Sequence, residues 1–330
     1  MLKGLFVLGS NDYAKIYGPS ELEAIRQKVE IYAPPQTASS VQANPALLHD
    51  ADVIFSGWGG PVMDEAFLEA APNLKAVFYG AGSVRKLVTD AFWERDILIT
   101  SAAAANAVPV VEYTLSQILF CLKYGWHYAL ETKRSGQWKK ESPGPGAYGS
   151  TVGLISLGLI GKRVAEMLRL FDVDVIAYDP FVSLTEAAQL NVRMVDLDAV
   201  FAQADVVSLH TPWLDETVGM ITGAHFASMK PGASFINTAR GAIIREDEMI
   251  AVLQGRPDIQ AVLDVTWPEP PDADSPLYTL PNVVLTPHIA GSMGAECWRM
   301  GRMMVNELER YLRSEPLHHA ITQAEFARMA

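Results

Sequence analysis

Residues 152–161 read Val152-Gly153-Leu154-Ile155-Ser156-Leu157-Gly158-Leu159-Ile160-Gly161, an apolar run that ends in a glycine turn and continues at helical spacing. A strand that turns through glycines into a helix opens a dinucleotide-binding βαβ unit, and the pattern is G-x-G-x-x-G. Ser156 stands at the first glycine position; Gly158 and Gly161 hold the other two. Gly158 lets backbone amides approach a pyrophosphate, and Gly161 lets the helix pack close to the strand. The helix starting near Ile160 aims its positive end at the phosphates. Ser156 is expected to make the turn with φ negative. A second apolar run, Val173–Tyr178, ends at Asp179, placed to accept hydrogen bonds from the adenosine ribose hydroxyls. Pro180 and Phe181 bring no cation for a 2′-phosphate, which favours NAD over NADP.

Outward from this unit the period continues. Strand candidates follow at Val206–Leu209, Ser234–Asn237, Ala261–Val265 and Val283–Leu285. Six strands, counting Val152–Leu157 and Val173–Tyr178, with helical patterns between most of them, predict a doubly wound sheet of six or seven parallel strands. Upstream, Leu5–Leu8, Val53–Phe55, Ala76–Tyr79 and Leu98–Ile99 predict a second α/β series, with helices at Pro19–Lys28 and Asp64–Ala70. A long helix is expected from about Val108 to Lys123, then a Gly- and Pro-rich loop from Ser135 to Gly149. A last helix from about Ala295 to Leu312 carries a methionine and leucine stripe that reads as packing.

The 330 residues suit two domains. A net charge of −12 speaks against nucleic acid and anionic membrane surfaces as partners. Cys121 and Cys297 lie far apart, neither a disulfide framework nor a metal spacing, so no metal site is expected and a reducing cytoplasm fits. The apolar run Leu5–Leu8 is too short for a signal-peptide core. Asn106, Pro109 and Glu112 interrupt the apolar stretch Ile97–Leu122, which does not read as a membrane span.

Three segments begin at the C-terminal ends of expected strands, where open α/β sheets bind ligands. They are Asn237-Thr238-Ala239-Arg240-Gly241, Leu263-Asp264-Val265 with Pro268-Glu269-Pro270, and Thr286-Pro287-His288-Ile289-Ala290-Gly291. Together they supply a guanidinium, two carboxylates and an imidazole. Reduction of a 2-keto acid needs that set: a planar cation for the carboxylate and carbonyl, and a histidine that gives a proton to the alkoxide. A carboxylate behind the histidine holds its tautomer and favours its protonated form.

These segments resemble the D-isomer-specific 2-hydroxyacid dehydrogenase family. The resemblance extends to Leu209-His210-Thr211-Pro212 with Thr217, which looks like that family's second cofactor segment. It implies an NAD-dependent enzyme moving a hydride between nicotinamide and a small D-2-hydroxy or 2-keto acid, glyoxylate or hydroxypyruvate for example. His288 is then the acid/base, Glu269 its partner, and Arg240 the residue that binds the substrate and polarises its carbonyl. NAD would be held by Gly158, Leu159, Ile160, Asp179, His210, Thr211, Pro212, Thr217, Thr238, Ala239, Arg240, Asp264 and His288, with Asp264 on the carboxamide side. The implied architecture is a Rossmann-type NAD domain, residues 106–290, inserted into a flavodoxin-like substrate-binding domain formed by residues 1–105 and 291–330. A homodimer built on the long helix and its neighbours is expected.

The substrate domain departs from the pattern. The loop whose amides would hold the substrate carboxylate reads Gly80-Ala81-Gly82-Ser83-Val84-Arg85-Lys86, which assigns Ala81, Gly82 and Ser83 to the substrate but replaces the usual acidic residue by Val84-Arg85-Lys86. Trp58, in Ser56-Gly57-Trp58-Gly59-Gly60, reads equally as a pocket wall or as packing under a surface loop. Two other readings share the scaffold: an NAD(H)-sensing co-repressor, and a dehydrogenase of another small anion such as formate or phosphite. An added effector domain is not expected, because the sequence ends soon after the last helix.

Overall fold

The computed structural model describes residues 1–140, 144–327 and 329. The centre of the expected Ser135–Gly149 loop, residues 141–143, lies outside the described residues. The chain divides into two compact units, Met1–Val108 with Ser292–Ala330, and Pro109–Gly291.

The first unit holds five parallel strands: β1 (Leu2–Val7), β2 (Val29–Ile31), β3 (Val53–Ser56), β4 (Ala76–Tyr79) and β5 (Leu98–Ser101). Their order is β2-β1-β3-β4-β5, the flavodoxin-like arrangement. Register explains its core: Phe6 pairs with Phe55 and Phe55 with Phe78. The three rings form a ladder with centroids 5.1 and 5.4 Å apart, all buried. Each such ring removes some 150–250 Å² from water, so Phe55→Ala would cost about 3–5 kcal/mol.

The second unit holds β6 (Ser150–Ile155), β7 (Val173–Tyr178), β8 (Arg193–Met194), β9 (Val206–Leu209), β10 (Ser234–Asn237), β11 (Gln260–Leu263) and β12 (Val283–Leu285). All are parallel, in the order β12-β11-β10-β9-β6-β7-β8. The strand order reverses between β6 and β9, the switch point where doubly wound sheets take their ligands. β9 and β10 are buried along their whole length, as sheets covered on both faces require.

The long helix runs Ala103–Leu122, five residues earlier than expected at its start. The alanines from Ala102 onward are strong helix formers, and Pro109 sits inside the helix at the cost of one backbone bond. Its length and apolarity suffice for a membrane span, but 56% of its most apolar stretch is buried inside the protein, as in a core helix. Its exposed stripe is Glu112, Ser116 and Phe120. A further helix, Gly125–Ser135, follows and buries none of its residues.

Candidate active site

The glycine turn comes first. Ser156 adopts φ +74°, the left-handed region, and not the negative φ expected. Its hydroxyl lies 2.9 Å from that of Thr211 at the end of β9, so a hydrogen bond across the switch point offsets the strain that a glycine would not have. Gly161 is demanded by its surroundings: a Cβ there would stand 2.1 Å from the Ser156 carbonyl oxygen. Gly158 faces open space and caps the helix Leu159–Leu168 without a side-chain hydrogen bond. Among the described residues no acceptor meets the first-turn amides of that helix, the arrangement that receives an anion.

Asp179 closes this corner. Its carboxylate accepts from the amide of Leu157 at 2.8 Å, and from those of Phe181 and Val182 at 2.8 and 3.2 Å. Its charge is fixed beside the turn, where the ribose of a dinucleotide with its phosphate on Gly158 would lie. Opposite, burial pushes the His210 imidazole down to about 4, so the ring is neutral at physiological pH. Nε2 lies 3.1 Å from the Ser208 hydroxyl, and Nδ1 is buried without a partner among the described residues. Thr217 turns inward: its hydroxyl donates to the carbonyls of Pro212 and Leu214 and accepts from the Leu214 amide. Its side chain shapes the 210–217 loop.

The chemistry-bearing side chains stand on the ends of β10, β11 and β12. Asn237, fully buried, accepts from the Ala239 amide and donates to the Arg240 carbonyl, which fixes the turn carrying Arg240. The Thr238 hydroxyl lies 3.2 Å from that of Thr114. Burial lowers the Arg240 pKa, opposed by the charge of Glu269, and the guanidinium stays cationic. A Cβ on Gly241 would lie 2.0 Å from the carbonyl carbon of Thr266, so the Arg240 turn rests against the backbone leading to Glu269. Glu269 Oε1 lies 2.6 Å from His288 Nδ1, and the pair is 40% and 45% exposed. This contact selects the tautomer that leaves Nε2 for chemistry.

The sequence reading missed how His288 is held. Asp264, 2% exposed, accepts from the Thr286 hydroxyl at 2.6 Å, the Ile289 amide at 2.8 Å and the Ala290 amide at 2.8 Å. The Tyr113 hydroxyl lies 3.0 Å from Thr286 Oγ1 and extends the network to the long helix.

Ala81, Gly82 and Ser83 belong to the other compact unit. Among the described residues their amides meet no acceptor, the condition an anion-binding loop must satisfy. Trp58 is half-buried, packs against the apolar cores on both sides of its sheet, and accepts at its carbonyl from the Gly9 amide. Among the described residues no cluster of three His, Cys, Asp or Glu side chains is arranged to hold a metal ion.

Residues 117–290 match the family described as D-isomer specific 2-hydroxyacid dehydrogenase, NAD binding domain. A D-3-phosphoglycerate dehydrogenase from Archaeoglobus fulgidus is 32% identical over 260 residues, 78% of this chain and 49% of that protein. An (S)-sulfolactate dehydrogenase from Chromohalobacter salexigens is 35% identical, over 76% of this chain and 81% of that one. The chain thus spans about half the length of the phosphoglycerate dehydrogenases it matches. Among solved structures, the NAD-complexed form of a D-isomer specific 2-hydroxyacid dehydrogenase from Lactobacillus delbrueckii ssp. bulgaricus shares the fold, with TM-score 0.81 and 24% identity over 97% of this chain and 100% of that one. The free helix start at Gly158, the charge at Asp179 and the matched domain agree on NAD as cofactor. The chain belongs to the D-isomer-specific 2-hydroxyacid dehydrogenase family.

Proposed function

We propose that this chain is an NAD-dependent dehydrogenase interconverting a small D-2-hydroxy acid and its 2-keto acid. The observation that carries the reading is the His288–Glu269 pair at 2.6 Å, on loops at the strand ends that also carry Arg240. NADH, when bound, supplies the hydride. Arg240 binds the substrate carboxylate and polarises the carbonyl at C2. His288 Nε2 gives a proton to the C2 oxygen and takes it back in the reverse direction, while Glu269 at Nδ1 steadies the imidazolium. Within the first unit, the amides of Ala81, Gly82 and Ser83 meet no acceptor among the described residues and can take a carboxylate.

Relatives named for phosphoglycerate and sulfolactate favour a three-carbon acid with a second anionic group over glyoxylate, which has none. The test is NADH oxidation against glyoxylate, pyruvate, hydroxypyruvate, its 3-phosphate and sulfopyruvate. His288→Ala should lose about 10²–10⁴-fold in turnover on the best of them and still bind NADH. A normal rate in that variant, or no turnover of any member by the wild type, would sink the reading.

The same reading includes a homodimer and a cytoplasmic setting. Phe120, 42% exposed, packs edge-on against Trp126, and the helix carrying Trp126, Tyr128 and Leu130 has no fully buried residue, these three being only half-buried. Such a surface fits a partner copy. Light scattering at micromolar concentration should give twice the chain mass, and Leu130→Glu should halve it. Cys121 and Cys297 are both free and buried, as a reducing compartment allows.

A further inference from the structure

We propose that residues 318–327, with Met329, are a positioning element for the Ala81–Lys86 loop, and that Arg85 is the residue through which they act. The proposal rests on the reading of that loop as the substrate carboxylate site.

The segment is anchored at its start. Glu307, 2% exposed, accepts from the amides of His318 and His319. The chain then pairs with the free edge of β5: the Ser101 amide donates to the His319 carbonyl, the Ile321 amide to the Ile99 carbonyl, and Thr100 bridges antiparallel to Ala320. A short helix, Gln323–Phe326, opens with a Thr322–Glu325 capping box. Phe326 packs edge-on against Trp93, with centroids 5.5 Å apart. Ile321, Phe326 and Met329 all pack on the apolar cluster that contains Ala81 and Val84.

The far end is clasped by the loop itself. Arg85 Nε donates to the Met329 carbonyl at 2.5 Å and Nη2 to the Ala327 carbonyl at 3.1 Å, with the guanidinium 5.7 Å from the Phe326 ring centre. Ser101 completes the circuit: its amide holds the segment while its hydroxyl donates to the carbonyls of Ala81 and Gly82. The loop is thus tied to the segment at both ends, through Ser101 and through Arg85. With the Ala81 and Gly82 carbonyls held by Ser101, the Ala81–Ser83 amides remain without acceptors among the described residues. The cation that departs from the family pattern therefore does not meet the substrate. Its planar fork spans two carbonyls and orders the loop from behind.

The test uses the full chain and its Arg85→Ala and Arg85→Lys variants. Steady-state kinetics on the best 2-keto acid are read beside amide exchange at Leu87, Val88 and Ala102, which donate to loop carbonyls. Arg85→Ala should raise KM for the keto acid five- to twenty-fold with kcat and NADH affinity unchanged, and speed exchange at those amides at least ten-fold. Arg85→Lys should fall between, because an ammonium cannot span both carbonyls. Phe326→Ala should move both readouts the same way. A raised KM with unchanged exchange means that Arg85 touches the substrate and overturns the proposal; so does faster exchange with an unchanged KM, or no change in either. If the wild type turns over no 2-keto acid, the functional reading fails, and unchanged exchange would still refute the clasp.

Discussion

Asp264 grips His288 from both sides: its carbonyl accepts from the His288 amide at 3.0 Å, and its carboxylate holds the amides of the next two residues, Ile289 and Ala290. His288 sits at φ +53°, a conformation that a side-chain-bearing residue keeps only when its surroundings enforce it. The first prediction follows. In Asp264→Asn an NH₂ group must face an N–H or O–H donor, so the loop loses a charge-assisted bond and His288 loses its aim. Turnover should fall on the order of 10²-fold. NADH affinity should change less than three-fold. Titration by fluorescence together with kcat decides: a tenfold loss of NADH affinity at normal kcat would make Asp264 a cofactor ligand alone.

Ser156 gives a stability prediction with a definite sign. Ser156→Ala keeps a Cβ at φ +74° and removes the hydroxyl that meets Thr211, whereas Ser156→Gly relieves the backbone. The alanine variant should be the less stable of the two by about 1 kcal/mol, read from urea midpoints at constant m. Equal midpoints would show that the turn relaxes without its hydroxyl.

His210 sets an acid limit. Its unfolded pKa is near 6.5 and its folded value about 4, because burial disfavours the charged ring. Above 6.5 neither state binds the proton; between 6.5 and 4 only the unfolded state does. Stability should therefore be full above pH 6.5 and drain away as pH falls toward 4. Thermal scans of the apoprotein should show this slope, and His210→Asn should flatten it. An identical slope in the variant would assign the loss to other groups.

Asp179 predicts cofactor choice. Without its carboxylate the Leu157 amide loses its partner and the ribose hydroxyls lose an acceptor. Asp179→Ala should weaken NADH binding about ten-fold, the scale of one charged hydrogen bond. NADPH, relieved of repulsion, should lose less, so the ratio of kcat/KM values narrows. A ratio unchanged from wild type would remove Asp179 from cofactor discrimination.

The sequence announced strands whose residues are mainly apolar: β4, β7, β9, β10 and β12 have the bounds their patterns predict. β2 and β8, three and two residues long, are too short to display a period. Candidate site residues can be named from sequence where a chemistry dictates the residue type, as for Arg240, Glu269 and His288. What escaped was conformation and support. Nothing local to Ser156 signals a left-handed φ, because its compensation comes from Thr211, 55 positions away. Asp264 reads as one more acid until folding sets Thr286, Ile289 and Ala290 around it. Arg85 likewise takes its meaning from Ala327 and Met329, some 240 residues downstream.

Gly241 carries a mechanical consequence. With no side chain there, the strand end bearing Arg240 and the one leading to Glu269 touch backbone to backbone, at distances no other residue type could match. Under the proposed chemistry, the residue that binds the substrate and the one that pairs with the histidine then share a single backbone contact and keep a common aim. Any larger residue at 241 would misalign both at once, and no adjustment of Arg240 or Glu269 alone could restore either.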